Sequence, residues 1–388
     1  MAKEFATVRD MVQALQPSYP VFCLRPEIMA ATAQKFLEQF PGRVLYAVKC
    51  NPHPEVLKAL YRAGIRHFDT ASLPEIAQVR ESFPDGACYF MHPVKTRAVI
   101  GTSAHVYGID TFVVDHPDEL EKVLKETRGA EGLTIFVRIV TPPVEGAFYH
   151  LASKFGATPQ AAASMLKEAQ SRGCQVGIAF HVGSQCLVPG AYSDAMKIVG
   201  EVLELARTES GRIDLAGLDV GGGFPAEYIG TNMPPLEAFI AEIEAGAKAL
   251  KLRRDCVLMC EPGRALVAHG ISLVTQVQLR KENQLYINDG VYGSLSETVD
   301  AGLRLPARLI RLKGEPSSEM KEFILNGPTC DSLDVLPSTF TLPADVAEGD
   351  WIEIDRVGAY SSSLATRFNG FYPETMVVVH DAPIGMTK

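Results

Sequence analysis

Between residues 44 and 264, eight apolar, strand-like runs recur at a steady pitch with helical patterns between them, and this alternation constrains the fold more than any other feature. The runs are VLYAV (44–48), HFDTAS (67–72), CYFMH (88–92), TFVVD (111–115), TIFVRIV (134–140), VGIAFHVG (176–183), LAGLDVGGG (215–223) and VLMCEPG (257–263). Helical spacing fills the gaps, as in PEVLKALYRAG, PEIAQVRESF, PDELEKVLKE, PQAAASMLKEAQSRG and PLEAFIAEIEAGAKAL. Several of these open on Pro with an acidic residue and two close on Gly, which suits helix ends. Eight strands with helices between them imply an α/β fold of the TIM-type (β/α)8 barrel class rather than an open sheet.

After residue 264 the pattern changes to SLVTQVQL, QLYIND, EFILNG and DWIEID, separated by Pro, Gly and charged turns. That is a mostly β domain. A chain of 388 residues is long for one core. The expected division is a barrel over 25–264 and a C-terminal β domain over 265–388, which residues 1–24 could complete. With 47% hydrophobic and 21% charged residues the composition is that of a folded soluble protein. No apolar run approaches the roughly 18 residues of a membrane span, and MAKEFATVRDMVQALQPSYP has no apolar signal core, so a cytoplasmic location is expected. A net charge of −9 argues against a nucleic-acid surface. The eight cysteines lack metal-ligand spacing and read as buried thiols in a reducing compartment. Cys330, in the polar, Pro-flanked GPTCDSLDVLP, stands apart.

In such a barrel the chemistry sits where the strands end at their C-termini. Those ends carry Lys49, Asp69, His92, Arg138, His181 with Gly183 and Ser184, the turn Gly221, Gly222 and Gly223, and Glu261 with Gly263 and Arg264. Each has a bland reading: a lysine can snorkel to the rim, a histidine can be a satisfied core group, three glycines can be a loose turn. Together they suggest more. Glycines after LDV let backbone N–H groups approach an anion, and EPGR offers a second anion site with a fixed cation. Without a Walker A or GxGxxG pattern, two such turns point to a small phosphorylated cofactor. A lysine, a phosphate cradle, a flat ring and a carboxylate fit pyridoxal 5'-phosphate: the lysine forms a Schiff base and the acid keeps the pyridine nitrogen protonated.

YAVKCNPHPEVL (46–57), FDTAS (68–72), HVGSQ (181–185), DVGGGFP (219–225), EPGR (261–264), GPTCDSLDVL (327–336) and VGAYSSSLATRFNGF (357–371) resemble, in order along nearly the whole chain, the alanine-racemase-fold (fold type III) pyridoxal-phosphate decarboxylases. The nearest likeness is to ornithine decarboxylases, including bacterial ornithine/lysine enzymes. The resemblance implies a head-to-tail homodimer with active sites shared across the interface. It makes Lys49 the Schiff-base lysine, His181 the residue stacked on the cofactor ring and Glu261 the pyridinium partner. Ser184, Gly221 to Gly223, Gly263, Arg264 and Tyr360 would form the phosphate site, with Asp69 and Arg138 in support. Cys330, supplied by the second subunit, would return a proton to the substrate carbon after CO2 leaves, and Asp331 would receive the distal ammonium.

The implied reaction is decarboxylation of an L-diamino acid, with L-ornithine to putrescine in polyamine biosynthesis ahead of lysine, meso-diaminopimelate or a pathway-specific basic amino acid. The eukaryotic enzymes carry a Tyr-Asp pair in the loop that here reads ETVDAG, so Glu297 or Asp300 is the expected replacement. Arg304 and Arg308 follow closely. Either arginine in the distal pocket would favour a substrate with a second carboxylate, and the expectation is that both are structural or solvent-facing.

Overall fold

The computed structural model describes residues 2–143, 154–207 and 213–386. Two strands, β1 (Glu4–Phe5) and β2 (Val21–Leu24), precede the barrel. The barrel strands are β3 (Arg43–Ala47), β4 (His67–Thr70), β5 (Ala87–Phe90), β6 (Thr111–Val114), β7 (Thr134–Arg138), β8 (Gln175–Ala179), β9 (Gly217–Asp219) and β10 (Val257–Cys260). All are parallel, and β10 pairs back onto β3 to close the ring. Most inter-strand helices start as their sequences suggest. Pro54, Pro117 and Pro159 sit in first turns, and His53, His116 and Thr158 accept a backbone N–H at the caps.

The barrel interior is packed, not hollow. Leu45, Tyr89, Met91, Val113, Phe136, Ala179 and Met259 form its filling. Phe136 occupies the axis because two facing positions lack side chains. A Cβ on Gly177 would stand 2.5 Å from the Phe136 ring, and one on Gly217 would stand 2.7 Å from it. Gly to Ala at either would push the ring off its rotamer.

Seven further strands follow: β11 (Ile271–Lys281), β12 (Gln284–Ile287), β13 (Ala307–Ile310), β14 (Met320–Asn326), β15 (Phe340–Pro343), β16 (Trp351–Ile354) and β17 (Thr375–Val379). They form a second sheet with the two N-terminal strands. β2 lies between β17 and β11, and β1 pairs with β17. Helix Val8–Leu15 covers one face, burying Val8, Met11 and Val12 against Val274, Trp351 and Val377. Strands β13, β15 and β17 were not legible in sequence: ARLI has partly exposed residues, and FTLP alternates over only four.

A buried charge network ties this sheet together. Arg25, 1% exposed, bridges Glu353 at 2.8 Å and Asp381 at 3.0 Å, and it donates to Ser272 at 2.9 Å. Arg308 adds bonds to Glu353 at 2.6 Å and Asp381 at 3.1 Å. No helix among the described residues is long and apolar enough to cross a membrane.

Candidate active site

Lys49 lies just past β3, in the 3-10 turn Val48–Cys50. The residues after it are fixed by the second sheet's loops. The Tyr46 hydroxyl donates to the Asn51 carbonyl at 2.9 Å, and the Asn51 amide donates to the Gly358 carbonyl at 2.8 Å. The Tyr360 N–H and the Ser363 hydroxyl both reach the Cys50 carbonyl, at 2.9 and 3.1 Å. The Cys-Asn pair thus bolts the lysine turn to the loop 357–364.

The Lys49 ammonium donates to Asp69 Oδ2 at 2.5 Å. Parallel pairing of Ala47 with Asp69 brings the two strand ends level. Although the Lys49 side chain is 40% exposed into the cavity, the partial desolvation there would by itself depress the amine. The carboxylates of Asp69 and Glu261 reverse this and hold its pKa above the ordinary lysine value. Losing a proton from Nζ therefore requires a nearby acceptor, and Asp69 is in contact.

His181 follows β8, its Nδ1 accepting the Gly183 N–H at 3.0 Å. Burial first, then Arg138 and Lys49, push its pKa well below the usual imidazole value. It is a neutral, flat ring. Glu261 follows β10, and its N–H donates to the Gly221 carbonyl at 2.8 Å. Burial and the neighbouring carboxylate of Asp219 raise its pKa well above the usual range. Asp219 ends β9; Oδ1 accepts the Gly221 N–H at 2.8 Å, and its carboxylate interacts with the Glu261 carboxyl. Burial pushes Asp219 up to about 6.

These groups meet at a cavity of about 350 Å³ lined by Lys49, Asp69, Arg138, His181, Ser184, Glu261, Glu297 and Tyr360, with Ala71, Met91, His92, Pro93, Phe155 and Leu364. Behind this wall lie the glycine turn and Arg264. Gly221 and Gly223 adopt left-handed φ of 69° and 105°, which strongly favours glycine. Gly222 lies between them, and its carbonyl accepts the Tyr192 hydroxyl at 2.9 Å. Gly263 precedes the short helix Arg264–Val267. Arg264 is 3% exposed. Its Nη1 donates to the Tyr228 hydroxyl at 3.0 Å and to Glu297 Oε2 at 2.7 Å. Its Nη2 donates to Glu297 Oε1 at 2.6 Å and to the Ser184 hydroxyl at 3.3 Å, and the Tyr360 ring lies 5.1 Å from its Cζ.

Pyridoxal phosphate fits this donor set. Arg264 Nε is buried without a hydrogen-bond partner among the described residues, as a phosphate-facing donor would be before its anion arrives. The amine for an aldehyde, the neutral ring and the buried carboxyl for a ring nitrogen stand on the same cavity.

The substrate residues are placed differently. Glu297 lines the cavity, but both its oxygens are on Arg264, so it is not free to anchor an ammonium. Asp300 is exposed and does not line the cavity. Cys330 and Asp331 do not line it either. Cys330 is exposed, its N–H and Sγ each 3.2 Å from Asn369 Oδ1, and the Tyr292 hydroxyl donates to Asp331 Oδ2 at 2.5 Å. Arg304 is exposed outside the cavity, and Arg308 belongs to the Arg25 network. Sequence reasoning missed Phe155, Leu364 and Asp219. Phe155 packs edge-on to His92 at 5.5 Å and lies 5.3 Å from the Arg138 guanidinium. Asp219 had a signal, its place directly before the glycine turn.

Residues 27–268 match the family described as pyridoxal-dependent decarboxylase, pyridoxal binding domain. A curated relative, the lysine/ornithine decarboxylase of Selenomonas ruminantium, is 35% identical over 348 residues, 88% of this chain and 84% of the relative. Among solved structures, the arginine decarboxylase of Paramecium bursaria Chlorella virus bound to agmatine is similar with a TM-score of 0.84 at 28% identity, covering 96% of this chain and 99% of the other. The lysine/ornithine decarboxylase of Vibrio vulnificus complexed with putrescine has a TM-score of 0.81 at 30% identity, with the same coverage.

Proposed function

Because the chain belongs to the pyridoxal-dependent decarboxylases, we propose that it removes the α-carboxylate of an L-diamino acid, chiefly converting L-ornithine to putrescine in polyamine biosynthesis, as a cytoplasmic homodimer. The observation that carries the reading is the split between a cavity holding Lys49, His181 and Glu261 and an outlying Cys330–Asp331 pair. Among the described residues lining the cavity there is no thiol, and the one carboxylate of the 288–311 segment that reaches it is already committed to Arg264. A second copy of the chain presenting Cys330 and Asp331 at this mouth would complete the site.

Bound pyridoxal 5'-phosphate supplies an aldehyde that takes up an amine and a ring that withdraws electrons from the carbon losing CO2. Lys49 would hold the aldehyde end, and Asp69 Oδ2 would accept the proton Nζ must lose. Glu261 would sit at the ring nitrogen and His181 against a ring face, where its neutral form adds no competing charge. Ser184, Tyr360 and Arg264, with the glycine turn, would hold the phosphate. Met91, Pro93, Phe155 and Leu364 give the cavity an apolar wall, against which loss of a carboxylate's charge is favoured. From the second subunit, Cys330 Sγ would deliver the proton that replaces CO2 and Asp331 would anchor the distal ammonium.

The surroundings of Arg304 and Arg308 weigh against diaminopimelate, because neither lines the cavity. Ornithine and lysine differ by one methylene, about 1–3 kcal/mol of discrimination. The test is CO2 release from L-ornithine, L-lysine, L-arginine and meso-diaminopimelate in parallel, with the amine identified. Release chiefly from ornithine, with putrescine formed, is expected; a clear preference for another of the four moves the assignment to that substrate, and silence on all four overturns it.

A further inference from the structure

The residue that stands between the cavity and the buried cation behind it is a carboxylate. Arg264 does not line the cavity, whereas Glu297 does. The two form a bidentate pair at 2.6 and 2.7 Å with both side chains under a tenth exposed. A guanidinium paired in this way has spent both terminal nitrogens on an anion that the protein supplies. Its Nε remains buried and unpartnered.

We propose that Glu297 is a positioning residue that acts through Arg264: it serves as the resident counter-ion of the phosphate cradle, holding the cation in place in the empty protein and weakening the hold on the cofactor's phosphate. The inference rests on the reading that Arg264 faces that phosphate. Two consequences follow from charge alone. Without cofactor, an unpaired buried guanidinium is costly, so Glu297 stabilises the empty cradle. With cofactor, a second anion shares one cation at close range in a site poorly screened by water, so Glu297 opposes the phosphate. The Ser184 hydroxyl and the Tyr228 hydroxyl, each within 3.3 Å of the guanidinium, keep the cation oriented whichever anion it meets.

The test compares wild type and Glu297→Gln, stripped of cofactor, titrated with pyridoxal 5'-phosphate and separately with pyridoxal, which lacks the phosphate. The glutamine keeps an acceptor for Arg264 and removes only the charge. Pyridoxal 5'-phosphate should bind the variant about tenfold more tightly, roughly 1.4 kcal/mol, while pyridoxal binding stays unchanged and the cofactor-free variant melts at a lower temperature. Should that cofactor-free variant not survive stripping, the loaded form is dialysed, and release of pyridoxal 5'-phosphate should be slower than from wild type. Unchanged or weaker binding of the phosphorylated form, or equal shifts for both ligands, overturns the counter-ion role. If wild type itself does not prefer pyridoxal 5'-phosphate over pyridoxal, the phosphate-site reading fails, and the inference with it.

Discussion

The barrel mouth and the rim formed by 327–336 and 360–371 both carry candidate site residues, yet they are built in opposite ways. At the mouth Asp69, Asp219, Glu261 and Arg264 are nearly fully buried, and backbone pairing of adjacent strands fixes where they end. Burial raises the pKa values of Asp219 and Glu261. At the rim Cys330 is exposed and Leu333 is 73% exposed, and the Cys330–Asp331 pair is held by Asn369 Oδ1, which accepts from the Cys330 N–H and Sγ, and by the Tyr292 hydroxyl on Asp331. A site that must bind and tune a cofactor is preorganised inside one chain. The proposed proton donor, by contrast, stands on an open surface.

Lys49→Ala breaks the mouth. It should lower turnover by about 10⁴-fold or more, the scale on which loss of a covalent nucleophile acts, and abolish the visible absorbance of loaded protein; persistence of that absorbance would dissociate the lysine from the cofactor. Cys330→Ala breaks the rim alone. Cofactor retention should be unchanged while turnover falls about 10²-fold, in the range of a general acid, with products protonated at the wrong carbon. Mixing the two inactive variants under subunit exchange should recover roughly a quarter of wild-type activity, as one competent site per mixed dimer requires. No recovery despite proven exchange would place both residues in one chain's site.

Asp219→Asn sharpens the contrast in how burial acts. The pKa of Asp219 is raised by burial to about 6 in the folded protein from an ordinary value near 3.8. The folded state therefore binds the proton more readily, and wild type loses stability as pH rises from about 4 to 6. The asparagine variant lacks that loss. Its stability relative to wild type should climb as pH rises across this window, read from denaturant melts at each pH, and a pH-independent difference would contradict the assignment. The smallest effect belongs to Arg304→Ala. Its side chain is exposed outside the cavity, so turnover of diamino acids should stay within about twofold, as for a surface change of under about 0.5 kcal/mol. A selective loss on diaminopimelate would bring that arginine into the closed site.

By itself, the sequence determined the barrel and the polar ends of its strands. Strand and helix periodicities are local, and eight repeats leave few ways to close a parallel sheet. Where the runs outlast the strands, the excess is the site: β8 stops at Ala179 but VGIAFHVG continues through His181, and β9 stops at Asp219 but LDVGGG continues through the turn. Apolar character persists there because these turns pack tightly on each other, Gly221 against Phe180 and Gly223 against Val182 and Gly183. Only the tertiary structure decided the partners of residues on the irregular segments. Glu297 and Asp300 are three apart on one short helix, and the sequence could not say that the first meets a buried arginine while the second faces solvent. Arg304 and Arg308 looked equivalent until β13 carried Arg308 onto Glu353 and Asp381. The physical reason is range. A periodic pattern reports burial of its own segment, whereas an ion pair depends on which distant segment the fold brings within about 3 Å.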